Sequence, residues 1–361
     1  MIQRLIMSPY SRVFFSCIGM FLCTSLLLDK AKAATSVESR EETAGTQRTT
    51  QDAQGKSDRP KVKLKEITVK DQTNVLQDHP GASTVITKET IEVFKPISTI
   101  DVLRRVPGIH APDEYGRGLR PNIGIRGLNP NRSENVLLLF DGVPIQPAVY
   151  GAASAYFNIP VEQIERIEIL RGGASALYGP NTVAGVINYI SHRPPLEQEI
   201  SLRETIRAGE LFTSTLSYGN TFENTGVQFL YTNKSGSLVR EQTDTQVNDV
   251  SLRFTFPIGH SGEGDLRLSG YVEESETPGG LTPAQFDKDP NLSQRSHDDF
   301  FGRRWAAYFR YTQPISSSVK FAGTTYANSF QRDWFIANAP DATATSNSQF
   351  LRDFFVAGVR P

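Results

Sequence analysis

Residues 122–195 read NIGIRGLNPNRSENVLLLFDGVPIQPAVYGAASAYFNIPVEQIERIEILRGGASALYGPNTVAGVINYISHRPP. Short apolar runs at 136–140, 164–170 and 183–190 alternate with turns that carry Gly and Pro, the pattern of a small mixed α+β unit. Asp141-Gly142 is a favoured hairpin corner, because Gly tolerates positive φ and Asp can accept from the turn amides. The run ending at Phe140 must then fold back on residues 143–145. Arg126 and Arg171 are each followed by glycine, Gly127 and Gly172, and stand beside apolar runs. A guanidinium in such surroundings needs paired acceptors, and Glu165 and Glu168 are the nearest candidates, against neighbouring strands or an enclosing wall. The other way to satisfy these groups is by internal ion pairs of a soluble domain.

Five motifs follow one another here: Ile125-Arg126-Gly127, then Leu139-Phe140-Asp141-Gly142-Val143-Pro144, then residues 164–172 (IERIEILRG), then Ser175-Ala176-Leu177-Tyr178-Gly179, then residues 185–190 (GVINYI). In these motifs and their order the stretch resembles the plug domain of TonB-dependent outer-membrane receptors. Within that family the spacing, with Pro278-Gly279-Gly280-Leu281-Thr282 further on, is most similar to ferric dicitrate receptors. The resemblance implies an α+β plug at 75–195 followed by the start of a transmembrane antiparallel β-barrel at 196–361. It implies import of a ferric chelate without covalent chemistry or bound cofactor. The implied partners are TonB, with ExbB and ExbD, and outer-membrane lipid, for a monomer in the outer membrane of a Gram-negative bacterium. Another siderophore, cobalamin, or a passive or adhesive barrel stay open as alternatives.

The remaining segments are read in order. Residues 1–33 join a basic start (Arg4, Arg12), an apolar run at 13–28 and Ala31-Lys32-Ala33, which predicts a secretory signal peptide and not a membrane span. Cys17 and Cys23 both fall inside it, and residues 20–22 lack the small side chains of a lipobox. A mature chain without thiols excludes disulfide and metal-thiolate chemistry. Residues 34–63 are polar and poor in aromatics, as in a flexible tether. They are too short for the signalling domain that some ferric dicitrate receptors carry at this place. Residues 64–70 (LKEITVK) form a β-prone run that could be the first strand of a domain. The resemblance makes it a TonB box, Glu66, Ile67, Thr68 and Val69, gripped by strand addition. Thr87 can cap a short helix through Glu92. Ser98 with Asp101 makes a capping box for a helix over 99–105, which Pro107-Gly108 ends and whose Val102, Leu103 and Val106 point inward.

After Pro195 apolar side chains occupy alternate positions, as in Leu266, Leu268 and Trp305, Ala307, Phe309, which sends one set to lipid and the other to a polar lumen. Strands are expected near Ile200, Thr213, Val227, Val250, Leu266, Ala306, Phe321 and Phe354. A barrel of about eight strands is filled by its own side chains, whereas one of about 22 holds a plug. With no terminal aromatic at Val359-Arg360-Pro361, the chain is expected to be the N-terminal part of a receptor about twice as long. Residues 275–301 and 333–349 have the composition of extracellular loops, and the first is expected to be a solvated, mobile lid.

No catalytic constellation emerges. Gly172-Gly173 lacks the spacing of a dinucleotide fingerprint, and His79, His110, His192, His260 and His297 are scattered, with none at metal-ligand spacing. A net charge of -1 gives no footprint for nucleic acid. A compact anionic chelate calls for guanidinium groups, and the loops flanking residues 123–128 offer Arg117 and Arg120 on one side and Asn131 and Arg132 on the other. The competing assignment pairs these arginines with the barrel wall, or with Asp113, Glu114 and Glu134.

Overall fold

The computed structural model describes residues 82–336 except 114–116, 147–152, 208–209, 294 and 296. The expected leader, tether and TonB box, plug residues 75–81 and the strand near Phe354 lie outside the described residues. All described residues belong to one compact unit, Thr68–Pro361.

The first half is a mixed sheet of five strands. Strands β1 (Ala82–Ile86), β4 (Val136–Phe140), β5 (Val143–Pro144), β6 (Ile164–Arg171) and β7 (Gly185–Ser191) lie in the order β1-β6-β7-β4-β5, with β4 and β7 parallel. Strands β2 (Ile109–His110) and β3 (Gly124–Ile125) form a separate small pair. All five residues of β4 are buried, which is why its sequence is an unbroken apolar run instead of an alternating one. Leu138 joins the main core with Ile100, Leu103, Ile123, Ile167 and Ile187, while Leu137 and Leu139 pack with Leu170 and Val186 on the opposite face. Each such fully buried aliphatic side chain contributes about 1.5 to 3 kcal/mol.

Two helices pack on this sheet, α1 (Lys88–Phe94) and α2 (Thr99–Leu103). The carboxylate of Asp101 accepts from the backbone N–H groups of Ser98 (3.2 Å) and Ile97 (3.0 Å), so the expected cap is present. Val102, Leu103 and Val106 are buried as expected. Thr87 stands at the start of α1, but its hydroxyl meets that of Thr90 at 3.3 Å and takes no helix amide.

The hairpin turns at Asp141 (φ 50°) and Gly142 (φ 81°), the two left-handed residues that a tight type I′ corner requires. The role expected for the Asp141 carboxylate needs correction. Asn188 Oδ1, on the parallel neighbour β7, accepts from the Gly142 N–H (2.9 Å). Asp141 instead accepts from Ser191, from its N–H at 3.0 Å and its hydroxyl at 2.7 Å.

The second half is a seven-stranded antiparallel meander: β8 (Glu199–Arg207), β9 (Leu211–Phe222), β10 (Thr225–Gly236), β11 (Thr245–Ile258), β12 (Gly262–Glu276), β13 (Asp299–Pro314) and β14 (Lys320–Phe335). Seven of the eight expected strands are thus found. At one end residues 223–224, 259–261 and 315–319 form short turns, and at the other residues 237–244 and 277–298 form long loops. Val250, Leu268, Val272 and Trp305 are exposed on one face, while Asp249, Arg253, Asp265, Arg267, Glu273 and Arg304 are buried on the other. Polar side chains inside and apolar side chains outside are the arrangement of a wall between lipid and a polar lumen. Among the described residues no helix is long and apolar enough to cross a membrane.

The described residues of the loop between β12 and β13 are more ordered than its composition implies. It holds helix α3 (Pro283–Lys288), capped reciprocally by Thr282 and Gln285. Arg240, from the neighbouring loop, donates to the carbonyls of Gly279 and Leu292, both at 3.0 Å. A cation 39 residues upstream organises this loop, which the composition of the loop itself does not reveal.

Candidate ligand site and plug-wall interface

Arg117 and Arg120 lie on the segment between β2 and β3, and the wall takes both. Arg117 donates to the carbonyls of Thr243 and Asp244 at 3.1 Å, and also to Thr245 Oγ1 and the Glu276 carbonyl. Burial lowers its pKa to about 10, with Glu273 opposing, so it stays charged at neutral pH. Arg120 is 2% exposed and grips the Glu273 carboxylate with two nitrogens, at 3.0 and 2.5 Å. Its guanidinium also lies over the Phe300 ring, 3.5 Å from the centroid. A buried guanidinium must spend its N–H groups on fixed acceptors, and apart from the Leu119 carbonyl, which takes one N–H of Arg120, those acceptors belong to the wall, near the long loops.

Arg132 and Asn131 sit differently. Asn131 is exposed, and Arg132 is half-buried with φ 47°. The Arg132 N–H donates to Asn122 Oδ1 (2.9 Å), and its guanidinium lies 5.0 Å from the Trp334 ring and 5.6 Å from the Tyr156 ring. On the wall, Arg332 is exposed and stacks on Tyr156 at 3.5 Å. Tyr156 and Phe300 each meet Trp334 edge-on, at 5.9 and 5.6 Å. The buried Trp334 Nε1 has no hydrogen-bond partner among the described residues. Plug and wall therefore share one aromatic cluster carrying two guanidinium groups that reach solvent. The Arg132 guanidinium also donates to Asn122 Oδ1 (3.4 Å), and a guanidinium stacked through its face can still grip a carboxylate through its edge. Sequence reasoning missed Tyr156, Arg332 and Trp334. The available signal was the period-two set Phe330, Arg332 and Trp334, which one strand face must carry together.

The partners expected for Arg126 and Arg171 also need correction. Arg126 is exposed with φ 54° and is no buried cation. Arg171 donates to the Pro107 carbonyl (2.8 Å) and to Thr84 Oγ1. Glu168 instead accepts from Arg166 at 3.0 Å and from Asn188 Nδ2 at 3.1 Å, because residues two apart on a strand share a face. Burial raises the Glu168 pKa, with Arg166 opposing. Gly127, Gly172 and Gly179 all adopt positive φ (82°, 93° and 96°), and Tyr178 is 37% exposed. These motif positions serve the backbone course of the plug.

Towards the short turns the seam is again ionic. The Asp141 carboxylate pairs with Arg267, and Arg253 reaches across to Ser191 Oγ (2.7 Å) and the His192 carbonyl (2.8 Å). Burial pushes the Asp141 carboxyl up, but Arg267 and Arg253 outweigh it and hold its pKa at about 2. Burial holds the half-buried His192 imidazole down to about 4, aided by Lys88 and nearby arginines. At the level of Glu273, Lys234 of the wall pairs with Glu162 of the plug at 3.1 Å, and two residues further along the wall Gln163 donates to Asp249. No group of His, Cys, Asp and Glu suited to a metal ion occurs among the described residues.

Residues 75–186 match the model of the TonB-dependent Receptor Plug Domain. Over 111 residues the chain is 46% identical to the vitamin B12 transporter BtuB of Vibrio vulnificus, a span of 31% of this chain and 18% of that protein. Among solved structures, the ferric citrate transporter FecA in its unliganded form superposes with a TM-score of 0.67 at 30% identity, over 74% of this chain and 42% of that one. The open form of the ferric-catecholate import receptor Fiu from E. coli gives 0.58 at 18% identity, over 71% of this chain and 40% of that one, and shows the fold alone. The chain spans less than half the length of each of these relatives, which are transporters and receptors and not enzymes. Residues 75–186 are a TonB-dependent receptor plug domain, and with the meander beside it the chain has the plug-and-barrel fold of TonB-dependent receptors.

Proposed function

We propose that the chain carries the plug and first wall strands of an outer-membrane receptor that imports a ferric chelate by energy-coupled transport, with ferric dicitrate as substrate. The observation that carries this reading is the shared cluster at the long-loop end. Arg132 and Arg332 lie against the Tyr156 and Trp334 rings, Arg332 exposed and Arg132 half-buried with one N–H on Asn122, so that a carboxylate arriving from the long-loop side would meet their outer edges. A compact polycarboxylate bridging these edges ties plug to wall through the bound ligand, and Asn131 supplies an amide beside it. Arg117 and Arg120 hold the site's floor in place. Residues 64–70, with Glu66, Ile67, Thr68 and Val69 at their centre, form the segment that TonB grips, driven through ExbB and ExbD. Pulling there transmits to the plug, which must leave the wall for the chelate to pass.

The test uses cells that express the receptor from its own gene. Deleting residues 64–70 is expected to abolish uptake of ferric dicitrate and leave binding at the cell surface intact. Uptake that persists without these residues means a passive or adhesive barrel. Arg132→Ala is expected to weaken dicitrate binding by about 1.5 to 3 kcal/mol, the worth of a charge-assisted hydrogen bond. A neutral hydroxamate chelate should be nearly unaffected. Preferential uptake of a catecholate or of cobalamin would replace dicitrate as the substrate.

A further inference from the structure

Below the ligand site the lumenal face of the wall carries a line of arginines. In register, Arg332 lies opposite Gly302, Arg304 opposite Tyr271, Arg267 opposite Tyr308 and Arg310 opposite Asp265. Measured on β13 these levels are 302, 304, 308 and 310, so the line runs roughly 26 Å at the rise of an extended strand. It starts at the Trp334 cluster and ends near the short turns.

Each of the four touches the plug. Arg332 lies against Tyr156, Arg304 against Phe157 at 4.7 Å, and Arg267 against Phe140 at 3.8 Å and the Asp141 carboxylate. Arg310 donates to the Asp141 carbonyl at 3.2 Å. None of the four has a wall carboxylate as ion-pair partner among the described residues. Arg253 does, since Asp265 neutralises it through two bonds at 2.9 and 2.6 Å. Across β10 to β14 at these levels, the line together with Arg253 and Lys234 opposes only Asp249, Asp265 and Glu273. When the plug leaves the wall, a cationic track is uncovered.

We infer that this line is a relay for anionic substrate. The chelate passes its carboxylates from one guanidinium to the next on the way down, and Asp141 holds, in the closed state, the place that a substrate carboxylate takes in transit. The identity of the anion rests on the ferric chelate reading above; the track itself rests on the wall.

The experiment measures ion selectivity in planar bilayers, with the plug displaced from the receptor by urea, and chelate uptake in cells. Replacing Arg304→Gln together with Arg310→Gln is expected to move the reversal potential in a salt gradient towards cations. The same pair is expected to slow ferric dicitrate uptake about tenfold, since a charged cleft raises the local concentration of its counter-ion. Binding to the closed receptor should not change. Arg304→Lys with Arg310→Lys keeps the charges and is expected to restore both readouts, which a purely structural role would not predict. An unmoved reversal potential, or uptake by the glutamine variant at the wild-type rate, overturns the relay. A shifted reversal potential in a receptor that takes up no ferric chelate overturns the substrate reading instead, and leaves the relay for another anion.

Discussion

The interior of the plug is largely apolar, whereas the buried seam between plug and wall adds a dense set of charges to its apolar contacts, which include Val247 and Tyr271 in the plug's core cluster and Tyr156 against Trp334. Inside the plug, Ile100, Leu103, Ile123, Leu138, Ile167 and Ile187 are all fully buried and apolar. Along the seam the buried groups are Arg117, Arg120, Asp141, Gln163, Asp249, Arg267 and Glu273, with Glu162 half-buried, linked across the interface by hydrogen bonds and ion pairs. Apolar burial is non-directional and resists water, so the plug holds together as one body. A buried ion pair contributes little net stability against solvated ions, because desolvation offsets most of the attraction, but it specifies position. The contrast teaches that the plug is seated in one place without being welded there. The charges of the seam can be parted by letting water in, whereas an apolar core cannot.

The sharpest way to break this comparison is to remove one member of a seam pair. Glu273→Ala leaves Arg120 buried and uncompensated, and is expected to weaken plug-wall docking by about 3 to 5 kcal/mol. Replacing the pair together, Arg120→Met with Glu273→Leu, is expected to be neutral or stabilising for docking and to slow plug release. Limited proteolysis of the purified receptor across a urea series measures both. Within the plug, Leu103→Ala is expected to cost about 2 to 4 kcal/mol through the cavity it leaves. That loss should appear in amide exchange of the plug strands and not in the midpoint of docking.

Acid sharpens the comparison with the smallest effect. The folded pKa of His192 is below its ordinary value, so the folded state binds this proton less readily than the unfolded chain does. Its contribution is fully present above about 6.5 and is lost as the pH falls towards about 4. Asp141 follows, its contribution fully present above 3.8 and lost as the pH falls to about 2. Plug release in detergent should therefore become easier in two steps, near these windows. Replacing His192→Gln is expected to remove the upper step alone.

How far the sequence could be read follows the range of each interaction. The capping pair Ser98 and Asp101, the Asp141-Gly142 corner and the positions of seven wall strands depend on residues a few places apart, and all were legible. Arg120 could be named as a buried or ligand-facing guanidinium, but its partner Glu273 lies 153 residues away. No local pattern distinguishes that acceptor from a bound carboxylate. Arg332 and Trp334 were passed over for the same reason, since their plug partner Tyr156 is fixed only by how the plug sits against the wall. Glu168 was assigned to the wrong arginine because its neighbour two positions away, Arg166, outcompetes the more distant candidates.

If the plug leaves the wall as a folded body, the seam opens before the core does, and one paired measurement reads both. Thr232 is fully buried on the wall beside Asp249, and its hydroxyl has no hydrogen-bond partner among the described residues, so Thr232→Cys reports the opening of the seam with little disturbance. In a urea series on the purified receptor, thiol labelling at this position is followed beside amide exchange at Leu138 and Ile187 in the plug core. Labelling is expected to rise, relative to the unsubstituted protein, at a urea concentration where the core amides remain protected. Labelling and loss of core protection at the same urea concentration would contradict it, because seam and core would then be one cooperative structure.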